Sequence, residues 1–171
     1  MNGKTKKTAS RRTFLKTSAA TLTTAAISAS CVSSQVYTAG SDTIKIGLIG
    51  CGGRGTGAAR DAMRADKGAR LVAMGDVFED RLNASLKQLT EFMPDQVDVK
   101  NDRRFVGFDA YRNVIESDVD VVLIACASKF HPFYAKTAIE AGKHVFVEKP
   151  HGIEPPGVRL MKETCDLAKA K

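Results

Sequence analysis

Short apolar runs alternate with helical patterns along most of this chain, and this alternation limits the fold more than any other feature. Ile44–Ile49, Ala69–Gly75 and Val119–Ala125 are short, apolar and bounded by glycine or polar residues, which is typical of buried strands. Residues 54–65 and 79–92 carry apolar side chains at helical spacing. Strands that alternate with helices predict an α/β fold, a parallel sheet covered on both faces and doubly wound by right-handed crossovers.

The second half of the chain continues the alternation. Pro132 suits the first turn of one further helix, and Gly142 suits the position just after its end. In that helix we expect Phe133 and Tyr134 to face the core. The other expected elements are a short strand over 104–106, a helix over 110–116, a strand over 144–148 and a helix from 155 to 171.

Five glycines crowd the stretch KIGLIGCGGRG, at the end of the first expected strand. In the pattern Gly50-x-Gly52-x-x-Gly55, the first glycine allows a tight turn and the second allows a pyrophosphate to approach the backbone. The third lets the following helix pack closely, and that helix begins with free N–H groups that attract phosphates. The candidate cofactor contacts in this loop are Gly50, Cys51, Gly52, Gly53, Arg54 and Gly55.

Asp76 follows Gly55 by 21 residues, at the end of the second expected strand. A carboxylate in that place binds the hydroxyls of an adenosine ribose, which makes Asp76 a candidate cofactor ligand. It favours NAD because it repels a 2′-phosphate, while the nearby Arg81 leaves NADP open as the less favoured cofactor. A methyltransferase with a similar loop, or a glycine-rich turn followed by a chance aspartate, would also fit these two features.

The stretch GKHVFVEKPHG, from Gly142 to Gly152, favours one interpretation. Together with the glycine loop it resembles the glucose–fructose oxidoreductase/inositol dehydrogenase/rhizopine catabolism (Gfo/Idh/MocA) family, over about Thr43–Lys171. The resemblance implies a Rossmann-type NAD(P)-binding domain of an oxidoreductase that transfers hydride at a hydroxyl carbon of a sugar, polyol or related carbohydrate.

Glu148-Lys149-Pro150 matches the Glu-Lys-Pro motif of that family. The resemblance implies that Glu148 and Lys149 lie at the cofactor and that Lys149 is catalytic, near the nicotinamide and the substrate. A cation beside an alcohol oxygen stabilises the alkoxide that develops as hydride leaves.

The segment CASKFHP departs from the family pattern after the fourth strand. Ala127 and Ser128 stand where the family often has Pro-Asn, and His131 stands where it has a histidine. Ser128 can still bind a ribose hydroxyl, and His131 is a candidate cofactor neighbour. We expect no metal site and no disulfide framework, because the four cysteines, Cys31, Cys51, Cys126 and Cys165, are widely spaced.

The first part of the chain resembles an export signal. SRRTFLK, from Ser10 to Lys16, precedes a stretch of alanine, threonine and serine, as in twin-arginine signals that carry folded proteins. We expect this signal over 1–32, a linker over 33–42 and the folded domain over 43–171. The protein is then periplasmic or in the cell envelope, with lipid attachment at Cys31 as a less supported alternative. The apolar stretch is too short and polar for a transmembrane helix.

The basic charge belongs to this first segment. The formal net charge is +7, but residues 1–41 hold six basic and no acidic residues, which leaves 20 basic and 19 acidic residues in the remainder. The expected folded domain therefore has no general attraction for nucleic acid, and a nucleic-acid partner is not expected.

The family has a second α/β domain that supplies most substrate contacts, and no such segment follows in these 171 residues. We therefore expect a truncated dinucleotide-binding domain, inactive alone and incomplete at its C-terminus, whose full-length form is a homo-oligomer that binds a carbohydrate-type substrate. The activity expected of the full-length form is sugar or polyol oxidation. Glycoside cleavage through transient oxidation by bound NAD is the alternative, and a fragment that only binds dinucleotide is a second alternative.

Overall fold

The computed structural model describes residues 42–170, and these form an α/β fold around one sheet. The predicted export signal, almost all of the predicted linker and Cys31 lie outside the described residues. Five strands form the sheet: β1 (Ile44–Ile49), β2 (Ala69–Asp76), β3 (Arg104–Val106), β4 (Val121–Ile124) and β5 (His144–Val147).

All strand pairs are parallel, and the spatial order is β3-β2-β1-β4-β5. The chain winds outward from β1 to β3, returns to the other side of β1, and winds outward again through β4 and β5. This confirms the predicted Rossmann-type doubly wound sheet. The direction of winding changes between β1 and β4, and ligands of such sheets bind at the carboxyl ends of the strands at that place.

Five helices connect or follow the strands: α1 (Gly53–Ala65), α2 (Glu79–Phe92), α3 (Ala110–Glu116), α4 (His131–Glu140) and α5 (Pro155–Ala170). Two short 3₁₀ turns, Pro94–Gln96 and Asn101–Arg103, lie where the sequence predicted only loop. Pro132 lies in the first turn of α4, and Gly142 ends the turn after it with a φ of +75°. The backbone N–H groups of Gly142 and Lys143 donate to carbonyls of the last turn of α4.

The sheet separates two apolar cores. The core under α1 and α2 includes Leu48, Met63, Leu71, Met74, Leu82, Leu89 and Leu123. The core under α3, α4 and α5 includes Ile49, Val114, Ile115, Val122, Ile124, Tyr134, Ala138 and Met161. The prediction that Phe133 faces the core is wrong, because its side chain is about half exposed while Tyr134 is buried. Adjacent helical residues point about 100° apart, so α4 buries only one of the two.

A register shift in β2 explains how its residues divide between the cores. Ile46 pairs with Leu71, but Gly47 pairs with Ala73, so one residue of β2 is skipped. Such a bulge reverses the alternation of side chains. Leu71 and Met74 consequently enter the core under α1 and α2, whereas Ala73 enters the other.

The described part of the chain has no helix that is both long enough and apolar enough to cross a membrane. Residues 42–170 also contain no group of three His, Cys, Asp or Glu side chains that could hold a metal ion. Cys51, Cys126 and Cys165 are free thiols.

Candidate functional site

A cavity of about 310 Å³ opens at the carboxyl ends of the strands. It lies at the change of winding direction between β1 and β4. Its walls come from segments that follow four strands: Gly50 and Gly52 after β1, Asp76, Val77, Phe78 and Arg81 after β2, Gly107, Phe108 and Tyr111 after β3, and Ala125, Cys126, Ala127 and Phe130 after β4.

The glycine loop forms the floor of this cavity. Gly50 has a φ of +92°, in the left-handed region that favours glycine, and a Cβ there would lie 2.5 Å from the backbone nitrogen of Cys126. A Cβ on Gly55 would lie 1.8 Å from the carbonyl oxygen of Gly50, so α1 approaches β1 more closely than any side chain allows. These two glycines therefore fix the angle at which α1 leaves the sheet.

The beginning of α1 suits a pyrophosphate. Its N-cap is Gly52, so no side chain occupies the first N–H groups of the helix. A Cβ on Gly52 or Gly53 would meet no protein atom within 4 Å, which leaves open space over the loop. Unoccupied N–H groups at the positive end of a helix dipole, beneath open space, fit the phosphates of a dinucleotide.

Asp76 joins the loop to the next turn. One carboxylate oxygen accepts the backbone N–H of Cys51 at 2.6 Å, and the other accepts the N–H of Phe78 at 2.9 Å. A carboxylate has about four acceptor positions, so each oxygen retains capacity for a ribose hydroxyl. The side chain is only partly buried and borders the cavity.

Aromatic side chains form a wall that the sequence analysis did not identify. The guanidinium of Arg81 lies 5.0 Å from the ring centre of Phe78, and the rings of Tyr111 and Tyr134 are stacked at 3.9 Å. Phe108 is about three-quarters exposed at the rim. Phe78 and Phe108 each follow the last residue of a strand by two positions, and that spacing was the available signal for them.

Glu148 connects the two ends of the candidate site. It follows the last residue of β5, its side chain is 7% exposed, and its carboxylate accepts a hydrogen bond from Arg54 at 2.7 Å. The hydrogen bond from Arg54, the charge of Arg54 and the backbone N–H of Lys149 hold the pKa of Glu148 below its usual range. This ion pair brings the Glu148-Lys149-Pro150 turn to the beginning of α1.

Lys149 lies in that turn with its side chain exposed, and the Lys149–Pro150 peptide bond is cis. Ser128 belongs to a turn after β4 in which the N–H of His131 donates to its carbonyl at 3.3 Å. His131 itself is buried, with Nδ1 2.9 Å from the carbonyl oxygen of Pro150 and Nε2 3.0 Å from that of Cys126. The structure therefore brings Lys149 and His131 to the same turn, while Ser128 lies in the preceding loop and does not line the cavity.

The thiols beside the cavity are protonated at neutral pH. Burial raises the pKa of Cys126 to about 12, and burial together with the charge of Asp76 raises that of Cys51 even further. Burial likewise raises the pKa of Tyr134 to about 12. A thiolate nucleophile is consequently not part of what this site offers.

Known proteins share this sequence and fold. The model of the oxidoreductase family GFO_IDH_MocA, described as a NAD-binding Rossmann fold, matches residues 44–171. The chain is 36% identical over 157 residues to glycosyl hydrolase family 109 protein 2 of Shewanella sp. strain ANA-3, which covers 82% of this chain and 33% of that protein. It is 32% identical over 121 residues to inositol 2-dehydrogenase of Burkholderia multivorans, covering 71% of this chain and 33% of that protein.

A solved structure with a related fold is scyllo-inositol dehydrogenase of Lactobacillus casei with bound NAD(H) and scyllo-inositol. It has a TM-score of 0.60 and 27% sequence identity, and the match covers 75% of this chain and 34% of that one. The chain thus spans about a third of the length of the relatives it matches. The family match covers most of the chain and the whole of the site described above, so this chain belongs to the Gfo/Idh/MocA oxidoreductase family through its NAD-binding Rossmann fold.

Proposed function

We propose that residues 42–170 bind NAD and form the dinucleotide-binding part of an enzyme that oxidises a hydroxyl of a sugar or polyol. The observation that carries this proposal is the ion pair between Arg54 and Glu148, because it brings the Lys149 turn beside the glycine loop. In this arrangement the loop and Asp76 hold the pyrophosphate and adenosine ribose. Lys149 then lies toward the nicotinamide end.

When bound, NAD supplies the acceptor for a hydride. The chain's own contribution at that end is the ammonium group of Lys149, which donates a hydrogen bond to the hydroxyl oxygen that is being oxidised. A positive charge there lowers the pKa of the hydroxyl and stabilises the developing alkoxide. The exposure of Lys149 in this chain leaves its ammonium group accessible to a substrate.

The cofactor we propose is NAD rather than NADP. Asp76 receives two backbone N–H groups, and these stabilise its charged form next to the place of the 2′-hydroxyl. A 2′-phosphate there would be repelled. Arg81 lies over Phe78 at the same wall, so its positive charge reduces this repulsion without removing it.

A second candidate function is glycoside cleavage through transient oxidation, elimination and re-reduction with a retained NAD. The likeness to a glycosyl hydrolase family 109 protein, at 36% identity over 82% of the chain, favours it. In both candidates Lys149 acts on the hydroxyl that is oxidised first. The two differ only in whether reduced cofactor leaves the enzyme.

We also propose that the protein is exported after folding, on the twin arginines Arg11 and Arg12. Export of a folded domain would carry bound NAD into a compartment where free dinucleotide is scarce, and it would need no disulfides. In a strain that expresses the complete gene, changing both arginines to lysine should retain the protein in the cytoplasm. Unchanged export of that variant would contradict the proposal.

Thermal unfolding with and without nucleotide tests the binding site directly. Saturating NAD should raise the unfolding midpoint of this chain, because a ligand of the folded state stabilises it. NADP should raise it less, and a midpoint that neither nucleotide moves would contradict the proposal. For the product of the complete gene, assays of NADH release and of glycoside cleavage, on the same carbohydrates, would separate the two candidate reactions.

A further inference from the structure

His131 is the buried titratable side chain that the proposed chemistry leaves unused. It is the first residue of α4, and only 1% of it is exposed. Its two ring nitrogens lie at hydrogen-bond distance from two different backbone carbonyls, those of Cys126 and Pro150. Cys126 lines the cavity at the end of β4, whereas Pro150 directly follows Lys149.

Both partners of the ring are acceptors only. A neutral imidazole has one N–H donor and one lone pair, so it would present that lone pair to one of the two carbonyl oxygens. Only the imidazolium form donates to both at 2.9 and 3.0 Å. Burial and the N-terminal end of α4 oppose a positive charge, while two carbonyl dipoles directed at the ring favour it.

The turn that carries Lys149 has few other attachments. Lys149, Pro150 and His151 are exposed, and the backbone N–H of Lys149 donates only to the neighbouring Glu148 side chain. Among the hydrogen bonds described for residues 42–170, the one from His131 to Pro150 is the one that joins residues 149–153 to a distant part of the chain. The position of Lys149 relative to the cavity wall therefore depends on this ring.

We propose that His131 is a positioning residue: as an imidazolium it bridges the end of β4 and the Lys149-Pro150 turn, and thereby holds Lys149 beside the nicotinamide end of the site. The importance of holding Lys149 there rests on the proposed function. The bridge itself does not, since it is a property of the folded chain without nucleotide.

The test uses nuclear magnetic resonance on the labelled 171-residue chain without nucleotide. The chain has three histidines, so His144→Gln and His151→Gln, both at exposed positions, assign the ring signals by elimination. At neutral pH both ring nitrogens of His131 should carry a proton. A spectrum with one protonated and one unprotonated nitrogen in His131 overturns the proposal.

Two variants test the mechanical role. In His131→Phe, which keeps an aromatic ring but no donor, the order parameter of the Lys149 N–H should fall from about 0.85 to below about 0.6. His131→Gln retains one donor and should give an intermediate value, and His144→Gln should change nothing. Unchanged order at Lys149 in both His131 variants overturns the proposal, and the ring spectrum of the unmodified chain decides the matter if either variant fails to fold.

These readouts separate this inference from the proposed function. A chain that binds no NAD, but shows the doubly protonated ring and the loss of order, would refute the function and retain the bridge. In the product of the complete gene, His131→Gln should lower kcat with little change in KM for the dinucleotide, because the adenosine contacts are untouched. An equal effect on both constants would contradict a positioning role for Lys149.

Discussion

At the glycine loop the backbone itself makes the binding surface, whereas the turn that carries Lys149 is held by side chains from distant elements. Gly50 and Gly55 shape the loop through a positive φ and a close approach between main-chain atoms. The Lys149 turn is fixed by the carboxylate of Glu148 on Arg54 and by the ring of His131 on Pro150. The first half therefore tolerates no added side chain, and the second half depends on particular side-chain groups.

The comparison also separates what each half would do. The loop and Asp76 offer N–H groups and a carboxylate to the common part of any dinucleotide. The Lys149 turn offers a mobile cation to the reacting end. Damage to the loop should abolish folding and binding together, while damage to the turn should act on chemistry and on acid stability.

The largest effect is expected for Gly55→Ala. Its Cβ would lie 1.8 Å from the carbonyl oxygen of Gly50, and because the contact is with backbone, no rotamer change relieves it. We expect a loss of about 3 kcal/mol or more in the free energy of unfolding and no detectable NAD binding. Urea unfolding and a thermal shift with NAD measure the two quantities.

Gly57→Ala is the matched control, because it lies in the same helix and its Cβ would meet nothing within 4 Å. It should be neutral or stabilise the chain by up to about 1 kcal/mol. Equal effects from the two substitutions would show that the close approach between α1 and β1 does not determine stability.

Asp76→Ala should have the next largest effect. It removes the acceptor of the Cys51 and Phe78 N–H groups, so we expect a loss of about 1–3 kcal/mol in stability. It also removes the ribose ligand and the repulsion of a 2′-phosphate, so NAD affinity should fall by about tenfold or more while NADP affinity falls less. Isothermal titration with both nucleotides measures the ratio.

Asp80→Ala removes the same charge from an exposed position nearby in α2 and serves as the control. Its effect on the ratio of NAD to NADP affinity should be small. If Asp80→Ala shifts the ratio as much as Asp76→Ala, general charge rather than a ribose contact sets the cofactor preference.

The difference between the two halves explains how far the sequence could be interpreted. The loop is local, because Gly50, Gly55 and the strand before them are adjacent in the chain, and Asp76 follows at a spacing that two elements determine. The alternation of elements likewise predicted the sheet. The pairing of Arg54 with Glu148 joins residues on α1 and β5, and nothing in either neighbourhood signals the other.

The same reasoning applies to His131. A histidine at the start of a helix is compatible with a cap, a ligand or a buried residue, and only the tertiary fold brings Cys126 and Pro150 to its two nitrogens. The skipped residue in β2 was also invisible, because Leu71 and Met74 fit a strand pattern only once the register shift is known.

Arg54→Gln should act mainly on the acid side of the stability profile. The pKa of Glu148 is lowered in the folded state, so its ion pair stabilises the chain above the ordinary carboxyl range and this contribution is lost as the pH falls through the lowered pKa. Without Arg54 the chain should be less stable at neutral pH and should lose less stability between about pH 5 and pH 3. Urea midpoints across that range measure it.

Arg60→Gln is the control on the same helix, since Arg60 pairs with Asp61 at 3.4 Å and both side chains are well exposed. Exposed pairs of this kind contribute little, so its profile should follow that of the unmodified chain. A parallel profile for Arg54→Gln, with no change in slope, would contradict the interpretation that Glu148 is held ionised by Arg54.

The smallest effect on folding and binding is expected for Lys149→Ala. The side chain is exposed, so the free energy of unfolding should change by less than about 0.5 kcal/mol. Affinity for ADP-ribose, which lacks the nicotinamide, should be unchanged, and Lys129→Ala, at another exposed lysine of the same edge, should match it in both measurements. In the product of the complete gene, only the Lys149 variant should lose hydroxyl oxidation. A lysine that mattered for folding or for the adenosine half would belong to the scaffold, and the division between a backbone-made half and a side-chain-made half would then fail.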